Sequence, residues 1–270
     1  MSGFYSNAIQ VGISLVANIG RFNGWRSRWI FLYSTFRHFL FLACKLPLQP
    51  KTLTLRFSNL EIRFKEFTGE LGNIKTVFFD EDERIPLPAG AVALDVGANI
   101  GLFSLCLVWK HGRERFSAIH LFEPNPDVFS RLQYNLKANG LEGLCHAHPI
   151  ALSDRGGEVY MEAPRGYSVL GMISDKGTVP VRRETLDAWS VANGVASTDL
   201  LKVDVEGHEM ELWRGAQGFL AHAARVYIEV KREHLRTLLD EARVAGFSEA
   251  SRQTLGTGDA MLLLERGNRA

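Results

Sequence analysis

Three groups of residues in this 270-residue chain have the types and spacing to do chemistry. They are Asp95-Val-Gly-Ala-Asn-Ile-Gly101, Phe122-Glu-Pro-Asn-Pro126 and Leu200-Leu-Lys-Val-Asp-Val-Glu-Gly-His-Glu209. In the first, Gly97 allows a tight turn and close approach of backbone to a ligand, and Gly101 lets a following helix pack closely. In the second, Glu123 follows Asp95 by 28 residues, near the spacing at which an acid accepts hydrogen bonds from a ribose diol. Asn125 sits between two prolines that stiffen the loop. In the third, an apolar run ends in Asp204, Glu206, His208 and Glu209, four ionisable groups at one mouth.

The first two groups indicate an adenosyl ligand without phosphate. A nicotinamide dinucleotide asks for G-x-G-x-x-G, so that backbone and helix N-terminus reach a pyrophosphate; here Ala98-Asn99 stands where the second glycine belongs. The carboxylate and amine of S-adenosylmethionine are better served by loop N–H groups together with Asp95 and Asn99. Glu123 is then the ribose candidate, and Asn125, in the same stiff loop, joins the cofactor-binding residues. Leu152 and Ser153, in Ala151-Leu-Ser-Asp154, give the adenine an apolar surface and a polar edge. Methyl transfer to a hydroxyl needs alignment and a base. Asp204 is the first choice for base, with His208, whose ordinary pKa suits neutral pH, and Glu206 beside it. No metal site is assigned. Mg²⁺ on Asp204, Glu206 and Glu229 is the alternative, and the chain lacks the HExxH or cysteine–histidine spacing of zinc sites.

These motifs must be carried by an alternation of strands and helices. Short β-type runs at 92–96, 119–122, 146–151, 200–205 and 225–230 alternate with helical stretches to about 109 and over 127–139, 208–220 and 232–245. Such a series predicts a mostly parallel, doubly wound α/β sheet with helices on both faces. In such a sheet, ligands lie beyond the carboxyl ends of the strands, where the three motifs fall. The tail from Phe247 to Glu265 reads as a hairpin at the sheet edge, and Leu53 to Phe64 as another, turning at Ser58-Asn59.

In their order and spacing, the Asp-Val-Gly-Ala-Asn-Ile-Gly turn, Glu-Pro-Asn-Pro, Ala-Leu-Ser-Asp, Thr185-Leu-Asp187 and Leu-Lys-Val-Asp-Val-Glu-Gly-His-Glu resemble the FkbM family of methyltransferases over residues 90–232. The resemblance implies a Rossmann-like class I methyltransferase fold, S-adenosylmethionine as donor, and O-methylation of sugars, polyketides or other small metabolites. Residues 1–50 lie outside it. The competing readings are a dehydrogenase and a non-catalytic, nucleotide-ligand-binding or membrane-associated module of the same fold.

Composition agrees with a globular chain: 46% hydrophobic, 23% charged, net charge +1. The charge is unevenly spread. Residues 1–60 hold seven Lys or Arg and no Asp or Glu, leaving 24 bases against 30 acids in the rest. The expected organisation is a basic, aromatic helical segment (1–50), a β-hairpin and linker (51–88) and the S-adenosylmethionine-binding domain (89–270). Helical residues 1–46, with Trp25, Trp29, Phe36, Arg26 and Arg28, suit either peripheral contact with anionic lipid or packing on the catalytic domain. The acidic remainder argues against nucleic acid and leaves a small-molecule or glycan acceptor. Tyr167, Trp189 and Arg182-Arg183 are minor candidates for touching it. Cys44, Cys106 and Cys145 form no CxxC pair, and Cys106 reads as a buried helix residue. With neither a secretory leader nor a spanning helix read in the sequence, a soluble, cytoplasmic protein is expected.

Overall fold

The computed structural model describes residues 22–43, 48–80, 85–162, 172–173, 177–255 and 257–267. Tyr167, Cys44 and the first half of the N-terminal segment lie outside these residues. Among them, no helix is long and apolar enough to cross a membrane.

Seven strands form the central sheet: β3 (Ala91–Val96), β4 (Phe116–Phe122), β5 (Cys145–His148), β10 (Leu200–Val203), β11 (Arg225–Val230), β12 (Phe247–Thr254) and β13 (Ala260–Arg266). Their spatial order is β12-β13-β11-β10-β3-β4-β5. All pairings from β11 to β5 are parallel, and β13 runs antiparallel to both neighbours. The order reverses between β3 and β10, and that switch point opens a crevice at their carboxyl ends. This is the doubly wound α/β architecture read from the alternation, with the tail hairpin at its edge.

Both faces of the sheet are covered because its central strands β3, β10 and β11 are largely apolar on both sides. On one face, Ala91, Ala93, Ile119, Leu121 and Leu200 pack under helices α3 (Leu102–His111) and α4 (Pro126–Ala138). On the other, Leu94, Val96, Leu201, Val203 and Ile228 pack under α5 (Leu186–Asn193), α6 (Glu209–Arg214), α7 (Gln217–Leu220) and α8 (Leu235–Val244). Three helix starts follow side-chain chemistry. The Asn125 side chain accepts from the N–H groups of Asp127 and Val128, with Pro126 at the first helical position. Thr185 caps α5. Asp187 accepts from the N–H groups of Gly218 and Phe219 and so caps α7 from a distance.

The N-terminal part joins the first core and does not stand apart. Helix α1 (Gly24–Ala43) lies on the hairpin of β1 (Thr52–Phe57) and β2 (Leu60–Lys65), and its Phe31 is fully buried with Leu55, Ile62 and Phe64. Arg37 reaches Glu66 at 3.1 Å, so this base is paired and not solvated. The hairpin is fixed to α4 by Asn135 and Asn139, which bond the backbone of Arg63 and Glu61. The 68–88 linker contains helix α2 (Glu70–Lys75) and a π-helical turn over Thr76–Asp80. Arg131 of α4 holds Glu70 at 2.8 Å, both buried.

Two expected elements are divided. The strand expected over 146–151 breaks at Pro149, which has no N–H for the ladder. Beyond it β6 (Ile150–Leu152) joins a second, four-stranded sheet with β9 (Val179–Glu184), β7 (Gly157–Glu162) and β8 (Met172–Ile173), in the order β6-β9-β7-β8. The helix expected over 208–220 breaks at Gly215, where a Cβ would lie 1.8 Å from the Ser153 carbonyl oxygen. At Gly101, φ is +85° and a Cβ would lie 2.7 Å from Leu132 Cδ1. Gly101→Ala is therefore expected to cost about 1–2 kcal/mol from backbone strain. A urea midpoint unchanged from wild type would refute that.

Candidate active site

A crevice opens at the switch point, walled by the ends of β3, β4 and β10. Of the residues picked from sequence, Gly97, Asn99, Glu123, Asn125, Leu152, Asp204, Glu206 and His208 all line it. Phe103, Phe122, Ile150 and Val205 add apolar wall, Met161 comes from the second sheet, and Asn73 and Val77 come from the former linker.

The glycine turn is built by close approach. Gly97 has φ +72°, and a Cβ there would lie 1.8 Å from the carbonyl oxygen of Asp204. Only glycine lets the ends of β3 and β10 meet. Its N–H and that of Ala98 donate to the Phe122 carbonyl, at 3.0 and 2.9 Å. The Asn99 N–H donates to Glu123 Oε2 at 3.0 Å, and the Asn99 side chain accepts from the Ile100 N–H. The turn's N–H groups from Gly97 to Ile100 are thus bonded within the protein, whereas the sequence reading assigned loop N–H groups to a ligand carboxylate.

Glu123 also accepts from the Asn125 N–H, at 2.8 Å through Oε1. Burial is the main influence on this carboxyl and pushes its pKa up to about 7, against those two backbone bonds and the nearby Lys202. Asn125 is committed to capping α4 even though it borders the cleft.

Three expected contacts are corrected. Asp95 is 1% exposed and lies beneath the cleft, outside its lining. The register opposes Asp95 to Lys202, so the two side chains share one face of the sheet. Lys202 Nζ sits 3.2 Å from Asp95 Oδ1, and Ser104 of α3 donates to Oδ2 at 2.7 Å. Gly101 is likewise outside the lining, where it serves helix packing. Ser153 is fully buried, and its hydroxyl lies 2.9 Å from His208 Nε2 and 3.0 Å from Asp154. It holds the histidine and makes no wall.

Lys202 itself went unassigned from sequence. It is 6% exposed, lines the cleft, donates to the Gly97 carbonyl at 2.9 Å, and stands 3.6 Å from Asp204. The available signal was a lysine inside an otherwise apolar central strand, since such a charge is buried only when paired.

The catalytic candidates differ in freedom. Asp204 keeps 35% of its side chain exposed. Glu206 has φ +51° and is tied to Lys231 at 3.4 Å; burial and then Asp204 raise its pKa. His208 is engaged by Ser153 on one side and lies 3.6 Å from Glu211 on the other, and burial lowers its pKa against the opposing pull of Glu211 and Asp154. Glu209 is not at the mouth: it is fully buried, accepting from the Gly207 N–H and lying 3.6 Å from His234.

The Mg²⁺ alternative finds no support. Lys231 Nζ lies 3.4, 3.6 and 3.3 Å from Glu206, Glu229 and Asp259, so a cation of the chain already serves these acids. Among the described residues no acid or histidine cluster has the geometry to hold a metal. Trp189, offered as an acceptor contact, is 2% exposed in the second core, packed on Phe122, His120 and His148. Arg182 is exposed and pairs with Glu184.

Comparison with known proteins accords with this geometry. The hexuronic acid methyltransferase AglP of Haloferax volcanii is 27% identical over 188 residues, covering 68% of this chain and 73% of that protein. The 2-O-methyltransferase NoeI of Sinorhizobium fredii is 24% identical over 163 residues, covering 53% of this chain and 65% of that one. The crystal structure of the methyltransferase FkbM from Methylobacillus flagellatus superposes with TM-score 0.52 at 14% identity, over 96% of this chain, which spans 59% of its length. The fold is therefore the Rossmann-like class I methyltransferase fold. The methyltransferase FkbM domain matches residues 95–248, more than half of the sequence and all three motifs, and the chain belongs to the FkbM methyltransferase family.

Proposed function

We propose that this protein transfers a methyl group from S-adenosylmethionine to a hydroxyl of a sugar or other small metabolite. The observation that carries the reading is Glu123, a buried carboxylate on the cleft wall beside the Gly97–Asn99 turn. Each of its oxygens takes one backbone N–H and keeps a lone pair to accept from a ribose hydroxyl. Phe122, Ile150 and Leu152 offer the apolar surface an adenine ring needs. The donor set thus fits an adenosyl ligand. A glycan acceptor is supported by the relatives named for a hexuronic acid and for 2-O-methylation. Among the described lining residues the one lysine or arginine, Lys202, faces Asp95 and Asp204, which speaks against a phosphate-rich nucleic acid acceptor.

When bound, S-adenosylmethionine supplies a methyl group already activated by its sulfonium. The chain's work is alignment of the acceptor oxygen and removal of its proton. Asp204, at the end of β10 and the freest carboxylate of the lining, receives that proton in this reading, and His208 and Glu206 shape the acceptor's side of the cleft.

Isothermal titration with S-adenosylmethionine tests the reading. Two hydrogen bonds to a charged acceptor are worth about 1.5–3 kcal/mol each, so Glu123→Ala should weaken binding at least about tenfold. With the Glu123 pKa near 7, wild-type affinity should rise between about pH 6 and 8 as the carboxylate ionises. Fold stability moves oppositely. The folded carboxyl keeps its proton up to about pH 7 while the unfolded one loses it near 4.5, so this group's contribution declines as pH rises through that window. Absence of saturable binding, or wild-type affinity in Glu123→Ala, would remove the assignment.

A further inference from the structure

Helix α1 buries one face against the hairpin and carries an apolar stripe on the opposite, exposed one. At 3.6 residues per turn, Ser27, Phe31 and Ser34 fall on the side buried against the hairpin. Trp25, Trp29, Leu32 and Phe36 fall on the other, with Tyr33 at its edge. The outer stripe is open: Trp25 is 72% exposed, Trp29 63% and Phe36 60%. Isolated apolar residues on a surface need no explanation, but a continuous stripe two to three turns long with two tryptophans does.

The charges around the stripe identify its occupant. Arg28 lies along one border and Arg26 along the other, both exposed. Lys51 approaches the Tyr33 end, its Nζ 3.0 Å from the phenol oxygen. No acid occurs in residues 1–60. Glu66, which packs on the helix, is buried and answered by Arg37. Two copies of this face would bring arginine to arginine with no carboxylate between them, which disfavours self-association. An anionic lipid surface meets both requirements. Tryptophan and tyrosine settle at the headgroup level, and long arginine side chains bury their stems while keeping the charge in the phosphate layer. Because the opposite face is fixed to the protein core, the helix can only lie in the plane of such a surface and cannot span it.

We infer that the outer face of α1 is a docking surface for anionic membrane, seating Trp25, Trp29 and Phe36 among the lipid headgroups with Arg26 and Arg28 on the lipid phosphates. This extends the proposed function and stands independently of it, because none of these residues lines the cleft.

The test is flotation of the full chain with vesicles of phosphatidylcholine alone or with about 30 mol% phosphatidylserine. Anionic vesicles should bind at least about tenfold more protein, and Arg26→Gln should weaken that binding about fivefold, the effect of one base near such a surface. The triple variant Trp25→Ser, Trp29→Ser, Phe36→Ser should lose at least about tenfold in partitioning, since each ring leaves apolar surface in water. All are exposed positions, and an unchanged urea midpoint checks that the variants fold. Equal binding to both compositions overturns the inference. So does absence of flotation with Trp25 and Trp29 shielded from acrylamide, which assigns the stripe to the chain's own residues 1–21. A dimer that dissociates in the triple variant also overturns it by assigning the stripe to a second copy.

Discussion

Replacing Lys202 with methionine should lower stability by about 3–5 kcal/mol, the usual cost of removing one partner from a buried ion pair. The reason lies in what remains. Asp95 is 1% exposed, and without the ammonium its carboxylate keeps Ser104 alone among the bonds described above. The same change releases the Gly97 carbonyl from its 2.9 Å bond, so the turn that forms the cofactor wall should also loosen. Urea denaturation of Lys202→Met, Asp95→Asn and the double variant checks this. The double variant should recover most of the loss, because neutralising both partners leaves no orphaned charge. A single-variant cost below about 1 kcal/mol would mean that water reaches the pair and that the lysine does not organise the turn.

Asp204→Asn should reduce kcat by about 10² to 10⁴ while leaving S-adenosylmethionine affinity within about twofold, the pattern of a lost general base. The asparagine keeps the shape and cannot take a proton. His208→Gln should cost far less, because the imidazole is engaged by Ser153 and serves position more than proton transfer. Single-turnover rates with a fixed acceptor decide between them. If the large loss follows His208 and Asp204→Asn stays near wild type, the roles exchange.

The architecture was legible because its signals are local. The alternation of apolar runs with helical stretches and the Gly97 turn are written in neighbouring residues, and eight of the eleven proposed site residues border one cleft. What sequence could not give was register. Asp95 and Lys202 are 107 positions apart, and only the pairing of β3 with β10 makes them opposite. Without that pairing an acid after a strand reads as a ligand contact, when here it anchors a lysine. The second sheet was missed for a related reason: its inward residues, Ala151, Met161 and Val181, form too small a core to mark a strong alternation. Trp189 was misread because an aromatic near arginines suggests a surface, whereas the strands beneath α5 present Phe122, His120 and His148 to it.

The internal bonding of the Gly97–Ile100 turn governs how the cleft meets its ligand. Since Phe122, Glu123 and Asn99 already hold these amides, conformational freedom there is surrendered when the chain folds and not when a ligand arrives. Capture of a small molecule then proceeds as lock-and-key association with a rigid wall, and affinity reflects the contacts made, with little entropy withheld for ordering the loop.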